Sequence, residues 1–140
     1  METVIVGANE SETAARAVER AGEVAARMEA RLVVVTAYGV DEVTEVGISD
    51  DTFRVSTSAQ ASVFAEGAAA RLRASYGIEA SGVASAGKPE RVILDAAKQL
   101  EASIIVVGNV RMKGAGRLLG SVANHIAHHA PCDVLIVKTV

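Results

Sequence analysis

Tryptophan is absent from this chain, aromatic residues make up only 3% of it, and there is a single cysteine, Cys132. With so few rings available, a core has to be assembled from Val, Ile, Leu and Ala, which suits close packing of helices on a sheet through small apolar faces. One cysteine excludes an intrachain disulfide and makes the cytoplasm the expected compartment. Lying just after Pro131 and before an apolar strand, Cys132 reads as a small buried hydrophobe rather than a reactive thiol. No apolar run approaches the length needed to cross a bilayer. The opening METVIVGANES lacks the basic segment and long apolar stretch of a secretory signal. An excess of positive charge is missing too: the net charge is −3 with both signs interspersed, which argues against nucleic acid or an anionic membrane as the main partner.

What is present is a chain of 140 residues, half of them hydrophobic, enough for one domain with a substantial core over residues 1–140. Short uninterrupted apolar runs stand at residues 3–7 (TVIVG), 31–37 (RLVVVTA), 103–107 (SIIVV) and 133–138 (DVLIVK). Runs of this kind suit strands covered on both faces, as in a parallel sheet. Between the first two, Ala14, Val18, Ala21, Ala25 and Met28 recur at spacings of four and three and share one helix face. Arg16 with Glu19 and Glu23 with Arg27 are opposite-charge neighbours on its solvated side. Residues 38–58 show no sustained periodicity and read as a long surface excursion, with a flap near a ligand as the functional alternative. A helix is expected from about Ala59 to Tyr76, ended by Gly77 in the left-handed conformation. EASGVASA (residues 79–86) is small and polar and suits a sheet edge. Pro89 opens a third helix whose core face is Val92, Ile93, Ala96, Ala97 and Leu100, with Asp95 and Glu101 as surface charges.

The stretch GNVRMKGAGRLLGS, residues 108–121, connects the fourth strand to a final helix, VANHIAHHA. Glycines let a backbone approach a ligand closely, and a helix start offers unpaired N–H groups at the positive end of its dipole. Together they make an anion site, with phosphate the usual anion. The stretch lacks GxxxxGK[ST], and its glycines Gly114, Gly116 and Gly120 are spaced GxGxxxG, one residue off the dinucleotide fingerprint. The alternation of strands and helices implies a three-layer αβα domain with an open parallel sheet, in which ligands sit beyond the carboxyl ends of the strands.

VIVGANES, GKPERVILDAA, VVGNVRMKGAGRLLGSV and HHAPCDVLIVK, spread over nearly the whole chain, resemble the universal stress protein family. The resemblance implies a Rossmann-like, five-stranded parallel sheet in the order 3-2-1-4-5, related to the adenine nucleotide alpha hydrolases, and a homodimer. It also implies binding of ATP or another adenine nucleotide, as in many members. In the nucleotide-binding members the fourth loop reads G-x2-G-x9-G-[ST]. Gly108 matches the first glycine and Gly120 with Ser121 the end, while Arg111 replaces the second glycine and eight residues separate it from Gly120. Asn9 stands where the family often has an acidic residue near ribose and metal, so magnesium dependence is not expected.

The resulting expectation is a stress-response module that holds phosphates with Gly108, Arg111, Gly114, Gly116, Gly120, Ser121 and Val122, and adenosine with Ala8, Asn9 and Ala37. Arg111 is open to two readings, a clamp on phosphate or a plug that leaves a nucleotide-free dimeric interaction module. No general base is placed by sequence, Ser121 lacks the GxSxG elbow, and at most slow ATP hydrolysis is expected. His125 and His129 share a helix face but lack a third ligand, and no metal site is assigned. The last strand, Asp133, Val134, Leu135, Ile136, Val137 and Lys138, is apolar on both faces yet at the edge of the family's sheet, which points to pairing of two copies there.

Overall fold

A computed structural model of the chain describes residues 1–9, 12–39, 50–109 and 119–139. Among these, strands β1 (Thr3–Gly7), β2 (Arg31–Tyr38), β3 (Ala80–Ala86), β4 (Ile104–Asn109) and β5 (Asp133–Lys138) alternate with helices α1 (Glu12–Met28), α2 (Asp50–Tyr76), α3 (Pro89–Gln99) and α4 (Ser121–His129). The strands form one parallel sheet in the order β3-β2-β1-β4-β5.

The apolar runs explain the layering. Side chains alternate between faces along a strand, so a run apolar at every position feeds two cores. Val4, Val6, Leu32, Val34 and Val106 meet Ala17, Val18, Ala21 and Ala25 of α1 and Ala65, Ala68, Ala69 and Leu72 of α2 on one face. Ile5, Val33, Val35, Ile105 and Val107 meet Val92, Ile93, Leu94 and Ala97 of α3 and Ala123 and Ile126 of α4 on the other. The alanine-rich helix faces let the helices sit low on the sheet, which compensates for the missing aromatic volume.

Helix ends follow local chemistry. Glu29 (φ 55) and Gly77 (φ 63) follow α1 and α2 in the left-handed conformation. Pro89 takes the first position of α3 after Lys88, where its missing N–H has no helical partner to lose.

Four readings change. Helix α2 begins at Asp50, so residues 50–58 are helical rather than part of a long excursion. Its periodic part, from Ala61 to Leu72, is anchored in the core, and helix propagation beyond such an anchor needs no apolar face of its own. Residues 40–49 of that stretch lie outside the described residues. Gly108 and Asn109 are the last residues of β4, paired with Val137 and Lys138, rather than the start of a loop. Glu101 lies beyond the end of α3, with φ 50. On α1, Glu23 pairs with Arg20 at 2.8 Å rather than with Arg27, and Glu19 accepts a hydrogen bond from Tyr76 of α2 rather than pairing with Arg16.

Candidate functional site

The carboxyl ends of β1, β2 and β4 and the start of α4 surround a cavity of about 390 Å³. In a parallel sheet of this order, β1 and β4 are the strands at which the winding direction reverses, and the crevice between them is open because their following helices go to opposite faces. Ala8, Asn9, Ala37, Gly108, Gly120, Ser121 and Val122, all expected from the sequence, line it together. Arg111, Gly114 and Gly116 lie outside the described residues.

Each wall has a local cause. Gly7 ends β1 with no room for a side chain: a Cβ there would stand 2.3 Å from Cδ1 of Ile93, so the glycine lets α3 close the floor. Ala8 then donates its N–H to the carbonyl of Val35 at 3.0 Å, which holds the first turn over β2. Pro89 and Ile93 of α3 and Val35 and Val107 of the sheet complete an apolar lining. On the opposite wall, Gly120 caps α4 in extended geometry (φ −66, ψ 162) without a side-chain cap. The helix's first internal bond is from the N–H of Asn124 to the carbonyl of Gly120. The N–H groups of Ser121, Val122 and Ala123 therefore have no carbonyl behind them in the helix, and all three residues face the cavity.

Asn109 was missed by the sequence reading. It is 4% exposed, and its Oδ1 accepts the N–H of Gly120 at 2.8 Å across eleven residues of chain. This bond ties the end of β4 to the start of α4 and fixes where the free helix amides stand. A polar side chain at the end of an otherwise apolar strand was the signal that could have marked it. Gly7, Ala14, Val35, Pro89, Ile93, Val107 and Ala123 also line the cavity without having been expected in the site.

No charged side chain stands among the described lining residues. The electrostatics of the described wall are those of the α4 terminus, which favours an anion. A hydrated divalent cation needs carboxylate oxygens, and the described lining offers none, so these residues do not fit a metal of their own.

The other candidates fall elsewhere. His125 and His129 stack on the surface of α4 with ring centroids 4.3 Å apart, and Nδ1 of His129 lies 2.9 Å from the carbonyl of His125. Among the described residues no group of three or more His, Cys, Asp or Glu side chains is placed to hold a metal. Cys132 is half-buried against the α3/α4 core, and burial first, then Asp133, pushes its thiol pKa up and disfavours the reactive thiolate.

Comparison with known proteins decides the family. The model of the universal stress protein family matches residues 1–138. The chain belongs to the universal stress protein family. A universal stress protein of Mycobacterium tuberculosis is 32% identical over 141 aligned residues, covering 98% of this chain and 96% of the relative. A universal stress protein solved in complex with cAMP is 34% identical, with a TM-score of 0.74 over 99% of this chain and 98% of that one. The universal stress protein UspA from Lactobacillus plantarum, 22% identical, shares the fold with a TM-score of 0.80 over 98% of this chain and 97% of that one. The universal stress protein fold thus accounts for the sheet order.

Proposed function

We propose that this universal stress protein binds an adenine nucleotide in the β1/β4 crevice and acts as a cytoplasmic, ligand-dependent regulatory module of a stress response. The observation that carries the reading is the junction of a cavity whose described lining is uncharged and largely apolar with three free amides of α4, held in place by Asn109. Its volume, about 390 Å³, falls in the range of small-ligand sites. The apolar wall of Ala8, Val35 and Ala37 receives the base, while Ser121, Val122 and Ala123 receive the phosphate through backbone N–H groups, joined by the Ser121 hydroxyl, and Gly120 gives the backbone room beside it. The relative solved with cAMP supports an adenine ligand and makes a cyclic monophosphate a natural candidate. A single phosphate charge matches a helix terminus without a metal counterion.

Calorimetric titration of nucleotide-stripped protein with cyclic AMP, AMP and ATP, each with and without magnesium, tests this. Saturable binding at micromolar concentration, about 8 kcal/mol, unchanged by magnesium, is expected. Absence of heat with all three at millimolar concentration would refute it. The same titration of Arg111→Gly separates two roles for that side chain: weaker binding marks a clamp, and binding gained only in the variant marks a plug and the nucleotide-free reading. In the family's manner the module is proposed to work as a homodimer through β5, whose side chains are half-covered along its middle.

A further inference from the structure

The outer edge of β3 is bracketed near its start by two side chains of the helix that covers it. Glu79 turns its carbonyl toward β2, where it accepts the N–H of Leu32 at 2.9 Å. Backbone groups alternate in direction along a strand, so the carbonyl of Ala80 and the N–H of Gly82 face away from the sheet. Neither is left to solvent. The guanidinium Nη1 of Arg73 donates to the carbonyl of Ala80 at 2.6 Å, and Oε2 of Glu66 accepts the N–H of Gly82 at 3.2 Å. The same Arg73 nitrogen lies 3.3 Å from Oε1 of Glu66. The two side chains and the strand form a closed ring of hydrogen bonds.

In a parallel ladder the carbonyl of one residue and the N–H of the residue two further on are both taken by a single residue of the neighbouring strand. Glu66 and Arg73 supply that pair of partners, one acceptor and one donor. We propose that they stand in for one residue of a sixth strand and so keep β3 from pairing with the sheet edge of a second copy of this chain. The placement depends on Gly82. A Cβ at that position would lie 2.3 Å from the backbone carbon of Ala65, so only glycine lets α2 come low enough for Glu66 and Arg73 to reach over the edge.

Stability is a poor account of the bracket. Both side chains are about half exposed, 44% for Arg73 and 55% for Glu66, and exposed ion pairs contribute little to folding. Edge protection is where a pair of this kind has a large effect, because an unpaired edge is a template for strand addition. The strand itself is weakly protected otherwise: Val83 is 42% exposed, and the neighbouring side chains are Ser and Ala.

The test is the mass distribution of Glu66→Ala/Arg73→Ala beside the wild type by sedimentation velocity across a hundredfold range of protein concentration. Species larger than any the wild type forms, rising with concentration while circular dichroism stays native, are expected. Folded double variant with the wild-type distribution throughout overturns the proposal. Should the double variant not fold, Glu66→Ala alone is decisive through hydrogen exchange at low concentration. The Gly82 amide is expected to lose about tenfold in protection, the scale of one hydrogen bond to a charged acceptor. Unchanged exchange at Gly82 overturns the bracket. Neither readout involves nucleotide, so the outcome is independent of the crevice.

Discussion

The two edges of the sheet solve the same problem in opposite ways. β3 is short of apolar side chains, and α2 lies directly on it, with Glu66 and Arg73 occupying two of its outward backbone groups, the Gly82 N–H and the Ala80 carbonyl. β5 reads Val134-Leu135-Ile136-Val137, and each of these packs partly against the core while remaining half-exposed. Among the described residues β5 carries no bracket like that of β3. One edge is polar and clamped at Ala80 and Gly82, and the other is apolar. In the proposed dimer, protection at β3 would leave each copy a single strand to offer and so favour a two-fold pair; two open edges would allow head-to-tail growth.

Breaking the closed edge at its glycine has the largest expected effect. Gly82→Val places a branched side chain against the backbone of Ala65 and Glu66, where even a Cβ would meet atoms at 2.3 to 2.6 Å, and lifts α2 from the sheet. A loss of about 3 kcal/mol in unfolding free energy by denaturant titration is expected, as for overpacking against atoms that cannot yield. A loss below about 1 kcal/mol would mean that α2 does not need its close approach.

The open edge is sharpened by charge. Ile136→Lys should raise the dissociation constant of the proposed dimer by about tenfold or more, with a cost to the fold below about 2 kcal/mol because the side chain is half-exposed. Sedimentation equilibrium of wild type and variant checks this; equal association in the two would remove β5 from the interface.

The smallest effect belongs to the strut behind β3. Tyr76 of α2 donates its hydroxyl proton to Glu19 of α1 at 2.5 Å, and its ring lies over Gly22, where a Cβ would be 2.6 Å from it. The bond to Glu19, then burial and the charges of Glu19 and Glu23, push the Tyr76 pKa up from 10.0 to about 12. The neutral phenol is thus favoured by folding. Its contribution is whole below the unfolded value of about 10 and is lost as pH rises through about 12. Tyr76→Phe should cost about 1 kcal/mol at neutral pH and flatten the decline in stability between pH 10 and 12 in denaturant titrations; an unaltered alkaline decline would assign it to other groups.

How much of this was legible in the chain follows from the range over which each feature is decided. The strand limits of β1 and β5 and the faces of α1 and α3 agree with the apolar pattern, since burial on both sides of a strand and one side of a helix is written in the local period. Ala8, Asn9, Ala37, Gly120 and Ser121 were named as one site because turns and helix starts at the carboxyl end of a parallel sheet follow from element order, with the family resemblance adding the roles. The start of α2 was not legible, because residues 50–58 have no apolar stripe and extend N-terminally from a helix anchored further along.

The sequence by itself determined the alternation of elements, the buried faces, the aromatic-poor core and the glycine-marked loop ends, all of which depend on residues close together in the chain. Only the tertiary structure decided that Asn109 would hold Gly120, that Tyr76 would reach Glu19, and that Glu66 and Arg73 would close the edge at Ala80 and Gly82. Those partners are chosen by where helices settle on the sheet, and that height is set by packing summed over the whole core rather than by any local pattern.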